Sequence, residues 1–219
     1  TSTRLIGSVI MVHGDEQGLV LPPRVAPTQV VLIPVGPWKK NPAIMEKLDE
    51  LYASLKAKGI RVRLDDSDQS PGYKFNEWEL KGVPVRIELG PRDLENNQAL
   101  IKVRDLTEKE SVEIAVIVER IEEELTTMQT RLLEKARAFR DENSHTNVDS
   151  LEQLKQHLTD STENGTIPGW ILAGWCGEDA CEENVKNETK FTTRNIPFNP
   201  PAEKATCINC GKESKHTVW

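Results

Sequence analysis

Apolar positions along this chain change their period several times, and each change marks an element. Gln29 to Val35 is a short apolar run closed by proline-rich punctuation, which predicts a buried strand. Asn41-Pro42 then offers an N-cap and a first helical residue. Ile44, Leu48, Leu51, Tyr52 and Leu55 fall on one helical stripe, and Gly59 closes it in the C′ position. Ile60 to Leu64 alternates like a strand, so 29–64 predicts a strand-helix-strand unit whose parallel strands need the crossover helix. A turn follows at Asp65 to Gly72. Lys74 to Lys81 then reads as two helical turns with Gly82 as the stop. Val83 to Leu89 reads as a strand, with Val83, Val85, Ile87 and Leu89 on one face and Arg86 and Glu88 on the other. Another strand is expected at Gln98 to Arg104.

Beyond this mixed α/β region the period becomes helical. From about Ser111 to Asn143, Ile114, Ile117, Ile121, Leu125, Met128, Leu132 and Ala136 recur three or four apart, which predicts a long helix or a bent pair. Asp149 or Ser150 caps a second helix reaching Leu158, and the polar run Thr159 to Gly165 reads as a boundary. The remaining residues are rich in Trp, Cys and Pro with little helical periodicity, so a small β-rich module is expected there.

At 219 residues the chain can bury a real core and hold one to three small domains. No run approaches the ~20 apolar residues of a membrane span. The opening TSTRLIGSVIMVHGDEQG has neither the order of a secretion signal nor an initiator Met. The chain is therefore expected to be part of something longer, with no membrane partner. A net charge of −7 argues against nonspecific coating of nucleic acid. The charge is uneven, however. Residues 105–164 carry 15 acids and 7 bases, whereas 1–104 carry 15 bases and 13 acids. Any RNA site is thus expected before residue 105, as a few positioned contacts.

That region contains PGYKFNEWELKGVPVRIELGPRD, from Pro71 to Asp93. At helical spacing Phe75 and Glu79 lie one turn apart, so a ring, a carboxylate and the guanidinium of Arg86 can converge. A ring stacks a base, a carboxylate accepts from the edge of guanine, and a guanidinium donates to its acceptors. Lys102 and Arg104 on the next strand are candidates for phosphate. On patterning alone, the same residues also describe an amphipathic helix and strand with Phe75 and Trp78 in the core.

All four cysteines fall near the end, as Cys176, Cys181, Cys207 and Cys210. Two close pairs on separate turns suit a tetrahedral structural zinc, and a module this small needs such a staple. Gly211, after Cys210, is expected to let the backbone approach the metal. A disulfide reading competes, but it suits a secreted chain. His145, His157 and His216 read as exposed histidines, and His13-Gly14-Asp15 as a local turn rather than a catalytic group.

The Pro71–Asp93 string resembles the anticodon-binding domain of class II aminoacyl-tRNA synthetases. Its KFNEWELKGVP wording is similar to prolyl-tRNA synthetases of the archaeal and eukaryotic type. GWCG before Cys181 and CINCGK around Cys210 resemble the zinc-binding C-terminal domain of those enzymes, and TSTRLIGSVIMVHGDEQG resembles the region of their motif 3. The resemblance implies a mixed five-stranded sheet with flanking helices, followed by a small α+β zinc-binding domain. It divides the chain into a catalytic-domain remnant (1–26), an anticodon-binding domain (27–128), a helical connector (129–164) and the zinc domain (165–219). It implies tRNA(Pro) contacts at Phe75, Glu79, Arg86, Lys102 and Arg104, structural Zn2+ on the four cysteines, and ATP contacts at Ser2 and Arg4. ATP, Mg2+ and proline would be used by the full-length enzyme, a cytoplasmic homodimer joined through its catalytic domain. Motifs 1 and 2 are absent, so no complete active site is expected here. A noncatalytic RNA- or protein-binding paralogue, or another class II synthetase, are the competing readings.

Overall fold

The structure is a computed structural model that describes residues 2–219, and it separates into two units, one ending at Glu134 and the other spanning Lys135–Trp219. In the first, helix α1 (Arg4–His13) leads into a hairpin of β1 (Gly14–Asp15) and β2 (Gly18–Leu19). The apolar run becomes β3 (Val30–Pro34), buried at all five residues, as expected of a strand covered on both faces. Helix α2 (Pro42–Ala57) starts at the expected proline, and Gly59 adopts φ +78 just past its end. The chain continues through β4 (Val62–Leu64), α3 (Pro71–Leu80), β5 (Val85–Leu89), α4 (Pro91–Glu95), β6 (Gln98–Val103) and β7 (Lys109–Glu113).

These five longer strands form one mixed sheet in the order β4-β3-β5-β6-β7. β3 is parallel to both β4 and β5, whereas β5, β6 and β7 run antiparallel to one another. One face carries Val30, Leu32, Val85, Ile87, Leu89, Ala99, Ile101 and Val103. It packs on Ile44, Leu48, Leu51 and Leu55 of α2 and on Ile117, Ile121, Leu125 and Met128 of α5 (Ile117–Glu142). The other face receives α3, where Phe75 and Trp78 pack against Val31, Ile33 and Val83.

Three local readings change. Pro71-Gly72 is the first turn of α3, not a turn before it, because the Ser70 hydroxyl accepts from the Tyr73 amide and Pro71 needs no donor there. Val83 lies with Phe75 and Trp78, on the opposite face from Val85, because regular pairing begins only at Val85. The helix expected from Ser111 begins at Ile117. Lys109–Glu113 instead completes the sheet, and a short 3-10 turn at Ile114–Val116 joins the two.

The second unit contains β8 (Ser144–His145), α6 (Leu151–Glu163), β9 (Trp170–Ile171), β10 (Ala173–Trp175), α7 (Asp179–Thr189) and β11 (His216–Val218). β8 pairs with β9, β10 pairs with β11, and Val148 and Leu154 share a core with Ile171, Ala173 and Ile208. Residues 144–163, read from sequence as connector, thus fold as part of this unit. The module after 165 is not β-rich: α7 is its longest element, and it begins in an acidic first turn.

Candidate nucleic-acid interface and metal centre

Helix α3 is fixed to the sheet from beneath. Asp65, just after β4, accepts from Trp78 Nε1 at 2.7 Å, while its carbonyl accepts from Lys74 Nζ at 2.8 Å. Lys74 is almost fully buried there. Burial pushes the Asp65 carboxyl up, but hydrogen bonds from Ser67 and Trp78 and the Lys74 charge outweigh it and hold the group below its ordinary value.

The side chains that α3 presents converge as expected. The Phe75 ring lies 4.1 Å from the Arg86 guanidinium carbon, and Arg86 Nη1 donates to Glu79 Oε1 at 2.9 Å. Arg86 Nε donates to Glu88 Oε1, also at 2.9 Å. Pairing of β5, β6 and β7 places Arg86, Lys102 and Lys109 side by side across the sheet. Lys109 Nζ closes the cluster with a 2.8 Å bond to Glu88 Oε2 and stands 5.1 Å from the Phe75 centroid.

These groups differ in what they can offer a ligand. The Glu79 side chain is 28% exposed and that of Lys109 is 40% exposed, against 7% for Arg86. Arg86 Nε and Nη1 are taken by Glu88 and Glu79, and among the described residues only Nη2 has no hydrogen-bond partner. Lys102 Nζ donates to the carbonyls of Leu106 and Thr107, and burial lowers its pKa, with the nearby Glu79 charge opposing. Arg104 is further from the expected phosphate contact. Its Nη1 and Nη2 grip Asp15 at 2.9 and 2.5 Å, and Nε donates to the backbone carbonyl of Glu79 at 3.3 Å. The Arg104 hydrogen bond, ahead of any other influence, lowers the Asp15 pKa. Sequence reasoning missed Lys109, Glu88 and Asp15. The alternation in Lys109–Glu113 is the available signal for the first, but the helical pattern taken to begin at about Ser111 overlaps its second half.

At the amino-terminal end, Ser2 and Arg4 are both exposed, Arg4 as the first residue of α1. His13 ends that helix, Gly14 and Asp15 form β1, and Asp15 accepts from the Gln17 amide at 2.9 Å, so the expected turn lies just beyond Asp15, whose carboxylate is also held by the distant Arg104.

In the second unit the four cysteines come together, with all sulfurs within 4.8 Å of one another. Cys176, Cys181 and Cys207 are buried, Cys210 is exposed, and all four are free thiols. Cys210 and Cys176 sulfurs are 3.9 Å apart, close to the ~3.8 Å edge of a tetrahedron with Zn–S of about 2.3 Å. Cys207 is predisposed to ionise: burial opposes it, but amides of Cys210, Asn209 and Cys176 outweigh burial and bring the thiol down to about 7. Cys181 goes the other way. Asn209 favours its thiolate, yet burial, Cys176, Cys210 and the charge at Cys207 together raise it to about 12. Several thiolates can share this space only with a cation among them, so the donor set fits zinc.

Gly211 sits at φ +68 with open space where a Cβ would stand, so it supplies a left-handed turn after Cys210. Gly174 packs closely against the neighbouring backbone. A Cβ there would lie 2.1 Å from the Thr206 carbonyl, and its own carbonyl accepts from Ile208. His145 and His157 are not exposed singly: their rings lie 4.5 Å apart, and His157 Nε2 bonds to the Pro168 carbonyl at 2.8 Å.

Comparison with known proteins finds one family match within each unit. The anticodon binding domain family matches residues 29–124, and the family described as prolyl-tRNA synthetase, C-terminal matches residues 159–219. The chain is 54% identical over 218 residues to a proline–tRNA ligase of Symbiobacterium thermophilum, covering all of this chain and 45% of that protein. It is 50% identical over 219 residues to one of Alkaliphilus oremlandii, covering 44% of it, and 44% identical over 218 residues to proline–tRNA ligase 2 of Clostridioides difficile. The chain thus spans less than half the length of these curated relatives.

Proposed function

We propose, from the premise that the chain belongs to the prolyl-tRNA synthetase family as its anticodon-binding and C-terminal part, that its first unit reads the anticodon of tRNA(Pro) on the face formed by α3, β5, β6 and β7. The observation that carries this is the convergence of Phe75, Glu79 and Arg86 on one patch of the matched anticodon-binding domain. Codons for proline begin with two cytosines, so the anticodons carry two guanines. Glu79 is the group suited to their amino and imino edge: Arg86 holds one carboxylate oxygen and leaves the other available. Phe75 offers a stacking face. Arg86 contributes through Nη2 and by orienting Glu79, and Lys102 and Lys109 supply positive charge toward the RNA backbone. Arg104 acts as a support.

The longer protein would activate proline with ATP and Mg2+ and attach it to tRNA(Pro), working in the cytoplasm as a homodimer. Ser2 and Arg4 are placed on the nucleotide in this reading, where a guanidinium clamps phosphate charge. The second unit would hold Zn2+ on Cys176, Cys181, Cys207 and Cys210. The ion cross-links two turns and neutralises their thiolates, and its role is structural. No helix among the described residues is long and apolar enough to cross a membrane.

The test is binding of this chain to proline anticodon stem-loops with single anticodon changes. Glu79→Gln keeps the side-chain shape and should lose roughly 1–3 kcal/mol of discrimination at one guanine. Equal affinity of the unaltered chain for all stem-loops refutes anticodon reading.

A further inference from the structure

The segment before the matched anticodon domain is built into the back of α3. Gly18 and Gly82 leave no room for side chains: a Cβ on Gly18 would lie 2.5 Å from Leu80 Cα, and one on Gly82 would lie 2.6 Å from Leu19 Cβ. The Leu21 amide donates to the Gly82 carbonyl. Across this contact Arg104, in the turn just past the end of β6 and 7% exposed, grips Asp15 of β1 with both terminal nitrogens and the Glu79 carbonyl with the third. Glu79 is also the residue whose side chain Arg86 aims.

We infer that Asp15 and Arg104 form a strut that positions Glu79 for reading guanine, so that the β1–β2 hairpin, outside residues 29–124, is a working part of the anticodon site. This rests on the reading proposed above. Asp15 and Arg104 are positioning residues and touch no ligand. The fork geometry matters because a bidentate guanidinium–carboxylate pair fixes orientation as well as distance. Charge alone does not do this.

Two measurements on the whole chain decide it. The first is hydrogen exchange of the amides in the last turn of α3 with no RNA present. Asp15→Asn should speed exchange there by about tenfold or more while β3 and β5 stay protected, and Asp15→Glu should restore most of the protection. The second is the ratio of affinities for the proline stem-loop and its single-guanine variants. Asp15→Asn and Arg104→Lys should each reduce that ratio by about tenfold, with Asp15→Glu close to the unaltered chain. Unchanged exchange and an unchanged ratio overturn the strut. A general loss of thermal stability with the ratio intact also overturns it, because that marks a purely structural link. If the unaltered chain does not discriminate between stem-loops, the anticodon reading fails, while the exchange measurement still decides whether the strut exists.

Discussion

Replacing Arg86 by Met should unsettle the first unit before it affects recognition. Arg86 is 6% exposed and joins two carboxylates, of which Glu88 is 4% exposed at its side chain. Removing one partner of a buried ion pair costs about 3–5 kcal/mol, because the other charge remains desolvated. Here Lys109 still holds Glu88 Oε2, and Glu79 is exposed enough to regain water, which places the loss near the lower end, about 3 kcal/mol. For a unit of this size that corresponds to a fall in melting temperature of roughly 10 °C. Urea unfolding gives the free energy directly, and an unchanged slope against urea confirms that the same surface is exposed. Arg86→Met with Glu88→Met should recover most of the loss, since an apolar pair of similar volume is close to neutral at such a site. A single variant that loses less than about 1 kcal/mol, or a double variant no more stable than the single, refutes the claim that Arg86 is mainly a buried bracket.

Other outcomes follow from the same geometry. Cys207→Ser should abolish binding of one zinc ion per chain and melt Lys135–Trp219 while the transition of the first unit is retained, as metal analysis and calorimetry will show. Gly174→Ala, which drives a Cβ into the Thr206 carbonyl, should weaken zinc binding by roughly tenfold or more in a chelator competition. The Asp65 carboxyl is held below its ordinary value of 3.8, so its stabilising contribution is complete above that pH and is lost as pH falls through the lower folded value. Acid titration followed by Trp78 fluorescence should therefore show a limb that Asp65→Asn removes.

Much of the local architecture is written in the sequence, because capping, termination and amphipathic stripes are decided within a few residues. Pro42, the stripe from Ile44 to Leu55 and Gly59 define α2 without reference to anything distant, although the Asn41 side chain makes no cap hydrogen bond. The spacing of Cys176, Cys181, Cys207 and Cys210 likewise announces a cluster of thiols close enough to hold a metal ion, and the helical spacing of Phe75 and Glu79 places both on one patch. Tertiary structure decided which charges are free. Arg86 and Arg104 look equivalent on adjacent strands, yet one aims a carboxylate and the other is committed to Asp15, 89 residues away in sequence. It also decided that Lys109–Glu113 is a strand: pairing with β6 offers its backbone a full ladder, and the helix begins only at Ile117. Residues 144–163 join the second unit for a similar reason, since Val148 and Leu154 gain a core only beside Ile171 and Ile208. Periodicity reports what a segment can bury. Only the assembled chain supplies the partner against which it does so.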